Sequence, residues 1–215
     1  MKKYLPLFAL FISYLGVAQD AIPFQEEVKD IVQRNDSLWD NSQETILFTG
    51  SSSIRFWEDL QERFPEKQVL NAGFGGSQAS DLLIHLDDLV LRYQPKQVFI
   101  YEGDNDIFNK KRPKQVLEDT AQIVEKLKED REDRAIVLIS AKPSLSRWKL
   151  KRKYKRLNKK LSNFAKEQDG VEFVDVWNPM LDGRRVMPDI FVEDGLHMNK
   201  KGYDIWYTTL KEYVK

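Results

Sequence analysis

Short apolar runs alternate along the chain with longer segments whose apolar residues recur every three or four positions. Continuous runs of Ile, Val, Leu and Phe are typical of strands that are buried on both faces of a parallel sheet. They predict five strands, at about 45–49, 68–70, 97–101, 135–139 and 171–176. Spacing of three and four positions is typical of amphipathic helices. It predicts helices at about 22–36, 56–64, 82–90, 113–127, 147–164 and 203–210.

This alternation determines the predicted fold class. Strands that alternate with helices form α/β domains in which a parallel sheet lies between helical layers. We therefore predict a three-layer α/β/α sandwich with a five-stranded parallel sheet. The chain has 215 residues, with no internal repeat and no low-complexity linker, so we predict that residues 19–215 form a single domain.

The first residues have the pattern of a secretory signal peptide. Lys2 and Lys3 precede an uncharged run at 4–19, and small residues precede a predicted cleavage after Ala18. The run is short for a helix that spans a membrane. We predict a signal peptide at 1–18, a periplasmic or secreted protein, and no stable membrane insertion after cleavage. An uncleaved membrane anchor is the alternative.

The composition excludes several classes of protein. With 41% hydrophobic and 32% charged residues, the chain is typical of a globular protein. It has no cysteine, which excludes disulfides, thiolate catalysis and cysteine-based zinc sites. Its 34 basic and 34 acidic residues leave a formal net charge of zero, so the totals provide no argument for nucleic-acid binding.

One segment, 147–160, departs from this balance because nine of its 14 residues are Lys or Arg. Its apolar residues recur at spacings of four and three, which predicts an amphipathic helix with a cationic outer face. We interpret this face as solvated and balanced by the acidic helix at 118–133. Binding of an anionic polymer or of a membrane surface is the alternative interpretation.

Polar clusters follow the predicted strands at four places, 50–53, 71–77, 102–106 and 194–197. The carboxyl ends of parallel strands share the edge of the sheet where ligands bind in open α/β folds, so we expect these clusters to be neighbours in space. The first cluster contains three consecutive serines. The second has three glycines in four positions, which predicts a tight turn or a close approach of the backbone, with a plain turn as the alternative.

The chain has two histidines, and only His197 lies in such a loop. Asp194 precedes it by three residues, which on a helical turn lets the carboxylate accept a hydrogen bond from the imidazole. A serine hydroxyl needs such a base before it can attack a carbonyl group. The N–H groups of Ser52 and Gly76 and the side-chain NH₂ of Asn105 can stabilise the oxyanion that forms.

The four clusters together resemble the motif blocks of the SGNH (GDSL-like) hydrolase family, which is named for its Ser, Gly, Asn and His. The matching segments, in order, are Gly50 to Ile54 with Ser52 at the nucleophile position, Asn71 to Gly76, Gly103 to Asp106, and Asp194 to His197. The resemblance covers about 45–210 and is strongest to bacterial acylhydrolases and esterases similar to platelet-activating-factor acetylhydrolases. It implies a flavodoxin-like α/β/α fold.

The resemblance also implies a serine esterase that uses no metal and no other cofactor. Ser52 is the expected nucleophile, His197 the expected general base, and Asp194 the residue that orients His197. Ser52, Gly76 and Asn105 are the expected oxyanion hole. The implied reaction is the hydrolysis of a carboxylic ester through an acyl-enzyme.

Ser51 departs from the family pattern, which usually has Asp before the catalytic serine. That Asp is not a triad member in the family, so the chemistry is expected to survive. Because three serines are adjacent, the alignment of this segment with the family motif could place any of them at the nucleophile position. The alignment that fits all residues from Phe48 to Trp57 places Ser52 there. The Gly-x-Ser-x-Gly elbow of α/β-hydrolases does not fit, because Ile54 stands where its second glycine should be.

Outside these clusters, Arg147, Trp148 and Trp177 are candidate substrate-binding residues at the rim of a pocket. His85 lies within the predicted helix at 82–90. We interpret it as a surface or half-buried helix residue without a catalytic role.

The expected substrate is a small-molecule or glycan ester with a short acyl or acetyl group. A lysophospholipase or thioesterase-type acylhydrolase and a non-catalytic glycan-binding module are alternatives on the same fold. A metal- or nucleotide-dependent enzyme is a further alternative, in which the oxygens of residues 104–106 join Asp194 and His197 around a divalent cation. That alternative explains neither the serine cluster nor the glycine loop.

Overall fold

Five parallel strands form the central sheet in the order β2-β1-β3-β4-β5. The structure is a computed structural model that describes residues 22–215, so the predicted signal peptide at 1–18 lies outside the described residues. The strands are β1 Thr45–Gly50, β2 Gln68–Gly73, β3 Gln97–Tyr101, β4 Ala135–Ile139 and β5 Val171–Val174. All neighbouring pairs are parallel, which confirms the predicted sheet and places the carboxyl ends of the strands at one edge.

Helices connect the strands and cover both faces of the sheet. They are α1 Gln25–Leu38, α2 Ser52–Arg55, α3 Ala79–Ile84, α4 Leu86–Leu89, α5 Asp104–Phe108, α6 Pro113–Asp130, α7 Lys151–Lys166 and α8 Lys200–Leu210. A two-stranded antiparallel hairpin, β6 Leu181–Asp182 and β7 Arg185–Val186, interrupts the long connection after β5. Among residues 22–215, no helix is long and apolar enough to cross a membrane.

The strands are apolar throughout because both faces of the sheet are covered. Leu47 of β1 belongs to a core cluster that includes residues of α1, α3, α6 and α7, whereas its neighbours Ile46 and Phe48 belong to a second cluster that includes α8. Successive side chains of a strand point to opposite faces, so a strand between two helical layers needs apolar residues at every position. The predicted three-layer sandwich is confirmed.

The predicted helix at 56–64 is wrong. The helix at this place is the short α2, and turns follow it up to Pro65. Trp57 and Leu60 are buried, as their spacing indicated, but most backbone hydrogen bonds there span three residues, as from the Leu60 N–H to the Trp57 oxygen at 3.3 Å. Burial of the apolar side chains against the sheet therefore holds a series of turns without a continuous helix.

The predicted helix at 82–90 is divided into α3 and α4 at His85. The His85 ring is 5% exposed, and its Nε2 atom lies 2.6 Å from the backbone oxygen of Pro23. The interpretation of His85 as a surface or half-buried helix residue is therefore wrong, because the residue is buried and lies between two helices. The side chain is buried because it links the break between the two helices to the segment before α1.

Candidate active site

The backbone turns sharply at the end of β1 and leaves one serine accessible. Gly50 has φ of 123°, and a Cβ atom at this position would lie 2.0 Å from the Tyr101 oxygen, so no larger residue fits. Ser51 and Ser53 are buried, and Ser52 between them is partly exposed. The serine that the turn presents at this edge of the sheet is therefore Ser52.

Ser52 contacts His197, and His197 contacts Asp194. The Ser52 Oγ atom lies 3.0 Å from His197 Nε2, and His197 Nδ1 lies 2.5 Å from Asp194 Oδ2. A proton on Nδ1 is shared with the carboxylate, which leaves Nε2 to accept the serine proton. The fold thus brings together residues that are 145 positions apart in the sequence.

Asp194 is held by its own loop. Its Oδ1 atom accepts hydrogen bonds from the backbone N–H groups of Leu196 at 2.8 Å and His197 at 2.9 Å. Partial burial favours the neutral acid, but these bonds and the bond from the His197 ring outweigh it and lower the pKa of Asp194 to about 2. The carboxylate is therefore ionised at neutral pH. The Phe56 ring packs edge-on against the His197 ring, with centroids 5.0 Å apart.

The backbone N–H groups of Ser52 and Gly76 have no backbone acceptor within residues 22–215. The Ser52 N–H is the first of α2, where a helix offers no backbone acceptor. The N–H of Gly76 makes no hydrogen bond within residues 22–215, and the φ of 74° at this residue is readily adopted only by glycine. Both groups are suitable oxyanion donors.

Asn105 follows β3 and is the candidate third donor. Its Nδ2 atom donates one hydrogen bond to the backbone oxygen of Ser77 at 2.9 Å, and an amide NH₂ carries two protons. Ser77 is fixed in turn, because its hydroxyl lies 2.7 Å from Oε1 of the buried Glu102. Burial, together with the charge of Asp106, raises the pKa of Glu102 well above its usual range. The second Asn105 proton makes no bond within residues 22–215.

A buried charged cluster lies directly beside Asn105. The Asp104 carboxylate is contacted by Lys142 Nζ at 3.3 Å, Arg147 Nη1 at 2.7 Å, and the hydroxyls of Tyr154 at 2.9 Å and Tyr101 at 3.1 Å. Burial alone would raise the pKa of Asp104, but the two cations and the hydrogen bonds lower it to about 2. The carboxylate stays ionised inside the protein because it is paired.

Lys142 and its role were missed by the sequence analysis. The residues that follow β4, which include Ser140, Lys142 and Ser144, form a further polar cluster after a strand, in addition to the four of the sequence analysis. They end a strand at the same edge of the sheet as the others. A polar residue after a buried strand was therefore the signal that pointed to this part of the site.

The three predicted rim residues lie in different environments. Arg147 is nearly buried, and its Nη1 atom also lies 3.0 Å from Asn105 Oδ1. Trp148 is half-buried, whereas Trp177 is only 3% exposed. The Trp177 ring is covered by Trp148, with centroids 5.9 Å apart, and by Tyr154 at 6.2 Å. Trp148 is therefore the member of this group that a substrate can reach directly.

The carboxylates of the alternative metal site are engaged elsewhere. Asp104 pairs with cations, and the Asp106 carboxylate accepts the N–H groups of Ala79 and Gly103 and pairs with Lys111 at 3.2 Å. Within residues 22–215, no group of three or more Asp, Glu or His side chains is arranged to hold a metal ion. The geometry gives this alternative no ligand set.

The arrangement of fold and side chains is that of a hydrolase, and comparison with known proteins identifies the class. Residues 36–205 match the model of the GDSL-like lipase/acylhydrolase family, and the chain belongs to this family. The protein is therefore an ester-hydrolysing enzyme, as the motif blocks implied. A search of curated proteins returned no match.

Solved structures share the fold over most of the chain. A protein of Streptococcus pneumonia described as a platelet activating factor is 26% identical, with a TM-score of 0.76 over 87% of this chain and 92% of that one. A GDSL-like lipase from Bacteroides thetaiotaomicron is 22% identical, with a TM-score of 0.74 over 86% and 96%. A variant of an acetyl-xylooligosaccharide esterase from Geobacillus Stearmophilus is 19% identical, with a TM-score of 0.66 over 79% and 93%.

Proposed function

We propose that the protein is a secreted or periplasmic serine esterase that hydrolyses a short-chain carboxylic ester through an acyl-enzyme. The observation that carries the proposal is the continuous contact from Ser52 Oγ through His197 to Asp194, at 3.0 Å and 2.5 Å. The N–H groups of Ser52 and Gly76 have no backbone acceptor within residues 22–215, which supports them as oxyanion donors. The pattern of residues 1–18 supports export.

In the first half of the proposed reaction, Ser52 Oγ attacks the carbonyl carbon of the ester while His197 Nε2 takes the hydroxyl proton. The carbonyl oxygen becomes an oxyanion that the N–H groups of Ser52, Gly76 and Asn105 stabilise. Asp194 stabilises the imidazolium. When the tetrahedral intermediate collapses, the bond to the alcohol breaks and His197 returns the proton to the leaving oxygen.

In the second half, water attacks the acyl-enzyme. His197 Nε2 takes a proton from the water, and the same three donors bind the second oxyanion. Collapse releases the carboxylic acid and returns the proton to Ser52. No step passes through Ser51, whose hydroxyl is buried, so serine at that position is compatible with this chemistry.

A short acyl or acetyl group on a carbohydrate is the proposed substrate. Two observations favour it over a phospholipid or a thioester. One similar structure is that of an acetyl-xylooligosaccharide esterase. The half-buried Trp148 next to Arg147 offers an aromatic surface of the kind that sugar rings stack on.

Labelling with a fluorophosphonate probe, followed by peptide mass spectrometry, tests the proposal. We expect one label, on Ser52, and inhibition of p-nitrophenyl acetate hydrolysis in parallel with labelling. A folded protein that neither reacts with the probe nor cleaves the ester would be a non-catalytic binding module. Activity that disappears with EDTA and returns with a divalent cation would favour a metal-dependent enzyme.

A further inference from the structure

The contact between Arg147 and Asn105 has a consequence for the oxyanion hole. Arg147 Nη1 donates to Asn105 Oδ1 at 3.0 Å and to Asp104 Oδ1 at 2.7 Å. We propose that Arg147 is a positioning residue, which fixes the Asn105 amide so that its second N–H faces the oxyanion. This inference rests on the proposed esterase function.

The two ends of the Asn105 amide have partners of opposite kind. Arginine is a donor only, so it can pair with the amide oxygen but not with the NH₂ group. The Ser77 carbonyl is an acceptor only, so it can pair with the NH₂ group but not with the amide oxygen. A rotation of the amide by 180° would place donor against donor and acceptor against acceptor. The observed orientation is therefore imposed from both sides.

The Arg147 side chain is itself held in place by the residues around it. Its side chain is 9% exposed, and the Phe108 ring lies under the guanidinium, 4.3 Å from the ring centroid. The Asp104 carboxylate fixes the same nitrogen that contacts Asn105, and Lys142 fixes the other carboxylate oxygen. Charge at the amide oxygen also polarises the amide and strengthens its N–H groups as donors.

A double-mutant cycle on the full chain tests this role with p-nitrophenyl acetate. We expect Arg147→Met to lower kcat by about 10- to 100-fold with little change in KM, because contacting residues in one network couple by amounts of this size. In the Asn105→Ala background the same substitution should lower kcat less than threefold, since the group that it positions is absent. Arg147→Lys should restore part of the activity.

Arg134→Met is the matched control, because Arg134 is also a buried arginine paired with a carboxylate, at Asp130. It should lower the melting temperature and leave kcat of the folded fraction unchanged. Equal losses from Arg147→Met in both backgrounds, or an activity loss of Arg147→Met that its own loss of folded protein fully accounts for, would overturn the positioning role. Absence of activity in the wild type would instead reject the proposed function.

A second inference rests on the cationic face of α7. The exposed or partly exposed cations from 149 to 166 are Lys149, Lys151, Arg152, Lys153, Lys155, Arg156, Lys159, Lys160 and Lys166. None of them forms an ion pair with a carboxylate of residues 22–215. Glu118, Asp119 and Asp130 of α6 pair with Lys114, Lys111 and Arg134, so any balance that α6 gives this face comes without direct ion pairs.

A cavity of about 300 Å³ adjoins this face. Lys155 and Lys159 of α7 line it together with Asn158, Ser162, Trp177 and Asp175. The Asp175 carboxylate accepts hydrogen bonds from the Trp177 N–H and the Asn178 side chain and forms no ion pair with either lysine. The Lys155 Nζ atom lies 5.8 Å from the Trp177 ring, and Trp177 stacks on Trp148, which follows Arg147. The cavity is therefore linked to the candidate active site by a continuous row of side chains.

We infer that this cavity is a subsite for an acidic sugar unit of a polysaccharide ester. Carboxylates of uronic acid residues match Lys155 and Lys159, which form no ion pair within residues 22–215, and hydroxyls match Asn and Ser. The cavity lies beside β5, which is three strand spacings, or about 15 Å across the sheet, from β1, the strand that leads to Ser52. A lipid surface fits less well, because the apolar residues of α7 are buried and cannot enter a bilayer. The inference deepens the proposed function, on which it rests.

Calorimetric titration of the full chain with oligogalacturonate tests the subsite. We expect binding that weakens with salt, little binding of a neutral xylo-oligosaccharide, and about tenfold weaker binding for Lys155→Gln/Lys159→Gln. Lys29→Gln/Lys67→Gln is the matched control, since both lysines are exposed and outside α7. Equal weakening in the control, equal binding of the neutral sugar, or binding only to phosphatidylserine vesicles would overturn the inference. Hydrolysis of p-nitrophenyl acetate by the wild type reports separately on the proposed function.

Discussion

The two halves of the candidate site are built in different ways. His197 and Asp194 lie three residues apart in one loop, and the Asp194 side chain is 45% exposed. Asn105 lies beside Asp104, whose side chain is 5% exposed and whose cations come from the segment after β4, about 40 residues further along the chain. The Asp194–His197 half, which transfers protons, is formed by neighbouring residues and is partly exposed to solvent. The Asn105 half, which stabilises the oxyanion, depends on a buried ion cluster between distant segments of the chain.

This difference predicts how each half fails. A local pair can be altered without unfolding the protein, because water solvates what remains. A buried cluster that loses one partner leaves an uncompensated charge inside the fold, so stability falls together with function. The comparison can be tested at each half in turn.

Removal of the nucleophile should have the largest effect. Ser52→Ala is expected to lower kcat by about 10⁶, because the covalent route is lost while the oxyanion donors remain. Hydrolysis of p-nitrophenyl acetate by the purified variant measures this. Ser53→Ala, with a buried hydroxyl next in the chain, is the control and should stay within tenfold of the wild type. The reverse pattern would move the nucleophile to Ser53.

The local half is tested by Asp194→Asn. The amide oxygen can still accept the two backbone N–H groups of the loop, but its NH₂ group would face His197 Nδ1 and favour the wrong tautomer. We expect a loss of about 10⁴ in kcat with a nearly unchanged melting temperature. Circular dichroism melts provide the stability measurement. A loss of folding that accounts for the lost activity would contradict the local character of this half.

The buried half is tested by Asn105→Ala. Loss of one oxyanion donor should lower kcat by about 10²–10³. The substitution also leaves the Ser77 carbonyl and one Arg147 bond without partners, so the melting temperature should fall as well. Activity equal to that of the wild type would remove Asn105 from the oxyanion hole.

The two halves should differ in how much the free energy of unfolding depends on acidic pH. The pKa of Asp104 falls from 3.8 to about 2 on folding, so the unfolded chain binds more protons between these values and the folded state loses stability as pH falls. The loss from Asp104 is about 2 kcal/mol between pH 4 and pH 2. Urea unfolding of the wild type and Asp104→Asn at both pH values measures it. The variant should be less stable at pH 4 but lose less on acidification.

Asp194→Asn is the comparison for that measurement. The pKa of Asp194 is also lowered to about 2, but the group is exposed and its interactions are screened by water. We expect this variant to change the acid dependence of stability less than Asp104→Asn does. An equal or larger change would contradict the distinction between an exposed and a buried half.

The sequence predicted the five strands of the sheet and the motif segments of the candidate site, but not the structure of every segment that connects the strands. All five strands and their parallel arrangement follow from continuous apolar runs, which only a sheet covered on both faces requires. The apolar residues of the segment at 56–64 have the spacing of an amphipathic helix, and this spacing predicted a helix. There the sheet surface buries the side chains of a series of turns, because burial does not require a regular backbone.

Candidate site residues were found from the sequence where a polar group follows a strand in a short, distinctive pattern. Ser52, Gly76, Asn105 and the pair at 194 and 197 all belong to such patterns. Arg147 was predicted as a rim residue and lies instead beside the Asn105 amide. Most of the residues from 149 to 160 are basic, so nothing in the pattern distinguished the buried Arg147 guanidinium from the exposed cations that follow it.

The sequence by itself determined the fold class, the order of the strands along the chain, and the Asp194–His197 pair, because each depends on spacing within a short segment. Only the tertiary structure decided which serine meets His197, that Asp104 is paired inside the protein, and that the cations of α7 have no acidic partners among residues 22–215. These are contacts between segments that lie far apart in the chain. They depend on how strands and helices pack, which local patterns do not specify.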